Sequence, residues 1–204
     1  VGLLALASMT LGNLAAYWQS DPRRLLGWST VSQVGYLLVP VAVAGRSDLA
    51  LPSLLLYLTG YTVTNMSAFA VTTSLPECRN LNAYRGMGRA RPALGVSLAV
   101  ALLGLIGTPP TIIFVGKVTI AAAAWEAGDA WLAIAGFLNT LLSLFYHLRW
   151  IAPVYRFGSA SEDADAAERV TWPAKPVSAS TAATTAVLTV LLGVGSGVIW
   201  QLVT

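Results

Sequence analysis

The sequence predicts an all-α fold: a polytopic transmembrane helix bundle of about six spans, one of them broken at Gly107–Pro110. Three observations lead there. Apolar residues make up 56% of the chain and charged residues 10%, with a mean hydropathy of +0.68; soluble domains carry about 25% charge. The apolar residues fall in runs near the ~20 residues that a helix needs to cross a ~30 Å hydrocarbon core. The run ends carry Trp18, Trp28, Tyr84, Trp125, Trp131, Trp150, Tyr155 and Trp200, and such rings favour the headgroup boundary.

The first run, Val1–Tyr17, would reach ~25 Å as a helix, short of the core. It has no initiating methionine, charged leader or small-residue cleavage site, so it reads as the remnant of a span with residues missing upstream, not as a signal peptide. Leu25–Ala44 and Leu51–Leu75 are full-length spans. Ala93–Trp125 holds 33 residues, ~50 Å as one helix and too few for two crossings. A single span interrupted at Gly107-Thr108-Pro109-Pro110 meets both limits. Pro110 has no N–H to donate and Pro109 disfavours helical geometry at Thr108. The carbonyls released there must face protein or water, not lipid. Trp131–Val154 is the fifth span and Ala179–Val203, rich in Gly, Ser and Thr, the sixth. Between them, Phe157–Pro176 places Glu162, Asp163, Asp165 and Glu168 among Ala and Ser before Pro173 and Pro176. This is expected to be a cytoplasmic loop or short surface helix whose carboxylates are solvated rather than metal-bound. The expected organisation is a five-helix unit over residues 1–156, a loop over 157–178 and a terminal helix over 179–204.

Charge placement supports the broken span independently. With one crossing there, Arg23, Arg24, Arg79, Arg85, Arg89, Arg91, Arg149, Arg156, Arg169 and Lys175 share one side, and only Arg46 lies opposite. Two crossings would set Arg149 and Arg156 against Arg79–Arg91. The asymmetry is that of the positive-inside rule, with the basic side cytoplasmic. The net charge of +3 is thus a topology signal, not a nucleic-acid footprint. One cysteine, Cys78, and one histidine, His147, exclude a disulfide framework, a four-cysteine metal site and bis-histidine haem ligation within the chain. With no dinucleotide glycine fingerprint either, no cofactor is expected here.

Lys117 is the one charge in Ala93–Trp125. A lone ammonium at a span centre costs roughly 2.5–3.5 kcal/mol on insertion scales, and membrane proteins usually retain one where ions or protons use it. Burial weighs against the charged form, while a nearby anion or water favours it, so the group can toggle. Two charges ~10 Å apart at an effective dielectric of ~20 interact by roughly 1.7 kcal/mol, enough for one site to drive a proton from the next. Moving a proton against 100 mV costs about 2.3 kcal/mol, so a chain of coupled groups and a driven partner are required. The competing reading makes Lys117 a fixed strut, satisfied by the broken helix's own carbonyls. His147, near the basic end of its span, is a second candidate relay, against an interfacial histidine satisfied by water. Ser32, Gln33, Tyr36 and Tyr61 are candidates for a polar path, against packing or interhelical hydrogen bonds. Asn13, Asn65 and Asn139 are expected to make interhelical bonds, and Glu126 and Asp129 to sit in the outer loop.

Three stretches resemble the antiporter-like membrane subunits of respiratory complex I. Asp21–Tyr36 reads D-P-R-R-L-L-G-W-S-T-V-S-Q-V-G-Y, Leu56–Ala70 reads L-Y-L-T-G-Y-T-V-T-N-M-S-A-F-A, and Tyr84-Arg85-Gly86-Met87-Gly88 precedes G-T-P-P-T-I-I-F-V-G-K over Gly107–Lys117. The family forms are K-R-L-L-[AG]-[YW]-S-S-I-[SA]-[HQ]-x-G-Y, Y-L-x-x-Y-x-x-x-N-x-G-A-F-A and G-I-P-P-T-x-G-F-x-G-K-F. The likeness runs from Val1 to Arg156; the last span fits in hydropathy only. It implies that the chain holds the last six of fourteen helices and that Lys117 is the lysine of the family's broken twelfth helix, part of a proton-conducting chain. Other groups of that chain would lie upstream. It further implies a hetero-oligomer with other membrane subunits in a bacterial plasma membrane, electron transfer in those subunits and no redox chemistry here. Arg23 stands where the family has lysine, and arginine releases its proton far less readily. Gln33 stands where histidine is common, Ile113 replaces a glycine and Val118 a phenylalanine. The alternatives are a subunit of a multi-subunit Na+/H+ antiporter or membrane-bound hydrogenase, a structural membrane subunit without an ion path, and a solute transporter.

Overall fold

The computed structural model describes residues 1–156 and 175–197, and all of its regular structure there is helical. The helices are α1 (Gly2–Tyr17), α2 (Pro22–Ala42), α3 (Ala50–Ser74), the single-turn α4 (Met87–Ala90), α5 (Pro92–Ile106), α6 (Ile112–Glu126), α7 (Ala130–Tyr155) and α8 (Pro176–Val194), with a 3-10 turn at Leu81–Tyr84. Four of them, α2, α3, α7 and α8, are long and apolar enough to cross a membrane, and α1 and α5 are shorter apolar helices. The carboxylate run at Glu162–Glu168 and the end of the sixth span at Trp200–Val203 lie outside the described residues.

Local signals set the helix starts. Asp21 caps α2 by accepting from the N–H groups of Arg23 at 2.8 Å and Arg24 at 3.3 Å, with Pro22 at the first helical position; both choices suit a helix start. Pro176 opens α8 in the same way. Positions 176–178 are therefore helical, where the sequence reading had them end the loop: proline's missing N–H costs nothing in a first turn.

The ends of the helices gather on two sides. On one, Arg149 at the end of α7 donates to the carbonyls of Tyr17 (2.6 Å) and Gln19 after α1. Arg23 at the start of α2 donates to the carbonyls of Thr72 and Pro76 at the end of α3. The Gly86 N–H reaches the Pro153 carbonyl of α7 at 3.2 Å, and the Lys175 N–H ahead of α8 reaches the Ser74 carbonyl of α3 at 3.2 Å. On the other, Arg46 pairs with Asp129 and Ser47 with Glu126. The pair α5–α6 starts at the first side and ends at the second, so it crosses once, as length and charge required. Its two 15-residue halves both pack on α3, α7 and α8 and share few contacts with each other.

Around an apolar core the bundle also turns apolar side chains outward and buries several polar ones. Leu138, Leu141 and Phe145 of α7 point outward, while Asn13, Ser29, Gln33, Thr64, Ser67, Asn139 and His147 are buried. Where lipid is as apolar as leucine, close packing and interhelical hydrogen bonds hold the bundle. Asn13 donates to the Asn139 carbonyl (2.9 Å) and side chain (3.0 Å) and accepts from the Tyr146 hydroxyl, joining α1 to α7. Thr64 meets Thr189 at 2.9 Å and Ser67 donates to the Ala182 carbonyl, joining α3 to α8. Asn65 departs from the interhelical expectation: it donates to Tyr61 one turn back on its own helix.

Candidate functional site: the break between α5 and α6

Gly107 ends α5 with φ +91° in the left-handed region, which costs glycine nothing. That geometry turns the chain so that the Gly107 N–H returns to the Leu103 and Gly104 carbonyls at 3.1 and 2.8 Å, and the Thr108 N–H to Leu103 at 3.1 Å. The chain then passes through a cis Pro109–Pro110 bond. Thr111, extended at ψ 151°, starts α6 and donates from N–H and hydroxyl to the Thr108 carbonyl. Glycine at 107 also makes room: a β-carbon there would stand 3.0 Å from Lys117 Cδ.

A helix end leaves its last four carbonyls without intrahelical partners. Here the turn itself occupies those of Leu103 and Gly104, and side chains take the other two. Lys117 Nζ donates to the Ile106 carbonyl at 2.9 Å and to that of Leu105 at 3.4 Å, and Gln33 Nε2 donates to Leu105 at 2.9 Å. The third Lys117 N–H points to Thr140 Oγ1 at 3.3 Å, and the ammonium lies 4.3 Å from the centroid of the Tyr36 ring. Carbonyls at a helix C-terminus carry partial negative charge and a ring face attracts a cation, so the site stabilises the charge. None of these partners is ionised. Among the described residues the only salt bridge is Arg46–Asp129 at the far edge, so no carboxylate there locks Lys117 in its charged form.

The partners are themselves braced. Tyr57 donates to Gln33 Oε1 and its ring stacks on Tyr36, with centroids 6.0 Å apart. Tyr36 donates to the Gly136 carbonyl at 2.8 Å and meets Thr140 at 2.9 Å. Beside the ammonium lies a cavity of about 200 Å³ lined by Tyr36, Gly107, Phe114, Lys117, Gly136 and Thr140, among others. Most of its wall is apolar, with Phe114, Val118, Leu132 and Phe137 around the polar groups of Tyr36, Lys117 and Thr140.

The structure brings together Lys117, Gln33, Tyr36 and Gly107 of the sequence-predicted set, with Pro109 and Pro110 forming the turn. Ser32 and Tyr61 stand apart from Lys117. Ser32 is buried against Gly12 of α1, because its neighbour Gln33 takes the helix face toward the break. The Tyr61 hydroxyl accepts from Asn65 on its own helix. His147 is not a water-satisfied interfacial residue. It is fully buried, donates from Nδ1 to the Ser143 carbonyl at 2.9 Å, and lies two turns along α7 from Thr140. Arg23 spans carbonyls at the end of α3, a structural cap. The sequence reading did not single out Tyr57, Thr140 or Gly193. Tyr57 lies inside a quoted motif, but Thr140 carries no local signal. Gly193 of α8 sits on the break itself: a β-carbon there would fall 1.9 Å from the Pro110 oxygen and 2.7 Å from the Ile112 nitrogen. The glycine-rich composition of that span was the available clue.

Known proteins resemble this chain in sequence and in fold. The chain is 61% identical over 204 residues to NADH-quinone oxidoreductase subunit N of Mycobacterium sp. (strain JLS), covering all of this chain and 42% of that protein. It thus spans under half the length of that relative. A chain of respiratory complex I from Thermus thermophilus, solved with bound aureothin, superposes with a TM-score of 0.82 at 29% identity, covering 98% of this chain and 44% of that one. A chain of the Mrp complex from Dietzia sp. DQ12-45-1b has the same fold, with a TM-score of 0.85 at 22% identity over 99% of this chain and 45% of that one. Residues 1–143 match the family described as NADH:quinone oxidoreductase/Mrp antiporter, transmembrane. That match covers well over half of the chain, which therefore belongs to the NADH:quinone oxidoreductase/Mrp antiporter transmembrane proteins.

Proposed function

We propose that this chain is part of a membrane subunit of a proton-translocating NADH–quinone oxidoreductase. It sits with other membrane subunits in a bacterial plasma membrane, basic loops toward the cytoplasm. Lys117 is its proton relay group, and electron transfer takes place elsewhere in the assembly. Residues 1–156 form the translocating unit, with α8 closing the break from outside it. The observation that carries this reading is the buried ammonium held at a helix break by neutral partners beside a cavity. A carboxylate partner would fix the charge; carbonyls, a hydroxyl and a ring face support it without fixing it. The likeness to subunit N supplies the reaction. His147 joins as a second relay group, two turns nearer the basic side.

Replacing Lys117 with Met in the full complex tests this. The expected result is fewer protons moved per NADH oxidised in sealed membrane vesicles, with the complex assembled and NADH oxidation retained in uncoupled membranes. Unchanged proton yield with normal assembly would leave Lys117 a strut and remove the relay reading.

A further inference from the structure

Resting on Lys117 as the relay group, we propose that Thr140 is a reversible partner whose hydroxyl accepts from the charged lysine and donates to the neutral one. The geometry of donors and acceptors leads to this. An ammonium has three N–H groups and no lone pair, and Lys117 Nζ has three acceptors within reach: the Ile106 carbonyl, the Leu105 carbonyl and Thr140 Oγ1. The first two are carbonyls and can only accept. Thr140 alone can do both.

In the charged state every proton has a place. Lys117 donates to Thr140 Oγ1 at 3.3 Å, Thr140 donates to Tyr36 Oη at 2.9 Å, and Tyr36 donates to the Gly136 carbonyl at 2.8 Å. The chain runs one way because the Gly136 oxygen can only accept and therefore takes the tyrosine proton. In the neutral state Lys117 keeps two N–H groups, which remain on the two carbonyls, and gains a lone pair facing Thr140. Rotation about the Thr140 C–O bond then turns its hydrogen from Tyr36 to Nζ. No bond forms or breaks at Thr140, and Tyr36 keeps its hydrogen on Gly136. Tyr36 loses only an accepted hydrogen bond, the least costly vacancy for a hydroxyl. Both protonation states are thus satisfied within one set of heavy-atom positions. A relay group needs that if it is to change charge without rebuilding its surroundings, since a buried polar group left unpaired weighs against the state that creates it. The cavity reaches the same three side chains, Tyr36, Lys117 and Thr140.

The test uses the intact complex and reads the Lys117-dependent proton yield, meaning the difference between wild type and Lys117→Met in protons moved per NADH oxidised. Thr140→Val keeps the shape and removes the hydroxyl; it is expected to remove most of that difference. Thr140→Ser restores the hydroxyl and is expected to retain most of it. Thr140→Val added to Lys117→Met is expected to change nothing further, because the two act through one contact. A packing role would be met by valine and would not depend on Lys117. If valine disturbs assembly, Thr140→Ala is read in the same way. A full Lys117-dependent yield in Thr140→Val, or an added loss in the Lys117→Met background, overturns the proposal while leaving the relay reading standing. A Lys117→Met complex that pumps normally removes the relay reading, and this one with it.

Discussion

Gly193→Val is expected to abolish stable assembly of the complex. A β-carbon at this position would stand 1.9 Å from the Pro110 oxygen, 2.6 Å from the Thr111 carbonyl carbon and 2.7 Å from the Ile112 nitrogen. All three are backbone atoms, and two adjoin a proline pair whose rings fix φ, so no flexible side chain can step aside. The chain must instead pull α8 off the break or push the break toward α3. Ordinary overpacking costs about 1–3 kcal/mol, and a branched side chain against rigid backbone exceeds the upper end. Displacing α8 would also part Thr64 from Thr189 and Ser67 from the Ala182 carbonyl. The measurement is the yield of intact complex by native electrophoresis and its thermal inactivation. A Gly193→Val complex recovered in wild-type amount, with an unchanged melting temperature, would show that α8 does not rest on the break.

Gln33→Leu is expected to destabilise the bundle by about 1–3 kcal/mol, the cost of leaving one buried polar group unpaired. Gln33 is 1% exposed and works at both ends. Its amide nitrogen holds the Leu105 carbonyl at 2.9 Å, and its oxygen receives the Tyr57 hydroxyl. Leucine strands the tyrosine proton and leaves Leu105 with Lys117 alone at 3.4 Å. Adding Tyr57→Phe to Gln33→Leu is expected to regain part of the loss, because removing both partners of a buried hydrogen bond is far cheaper than removing one. Thermal unfolding of the purified complexes decides this. Strictly additive losses in the double variant would mean that the two side chains contribute independently.

These outcomes mark how far the sequence could be read. Lys117 was legible because a charge in a 33-residue apolar run has few explanations in a membrane. The break was legible because glycine and consecutive prolines act through covalent geometry, whatever surrounds them. The single crossing followed from arithmetic on length and from the placement of arginines. The same reasoning fell short where it depended on direction. Ser32 and Gln33 are adjacent and both polar, yet only Gln33 faces the break, since successive helix positions point about 100° apart. His147, a turn from Arg149, reads either as a relay group or as an interfacial histidine satisfied by water. Depth along a helix says nothing about which face a residue occupies, and α7 turns this one inward.

The chain's covalent pattern alone settled that it crosses a membrane several times, which loops share a side, and where one crossing is interrupted. Each of these depends on local composition, helix rise or ring geometry, and no distant residue can alter them. The partners of the interrupted helix end were another matter. Leu105 and Ile106 must find donors, but that Gln33 and Lys117 supply them, that Thr140 faces the amine from 23 residues further along, and that Gly193 of α8 seats against Pro110 came from the packing of α2, α7 and α8 around the break. Hydrogen bonds and steric exclusion act over a few ångströms, and which residues come that close is a property of the assembled bundle.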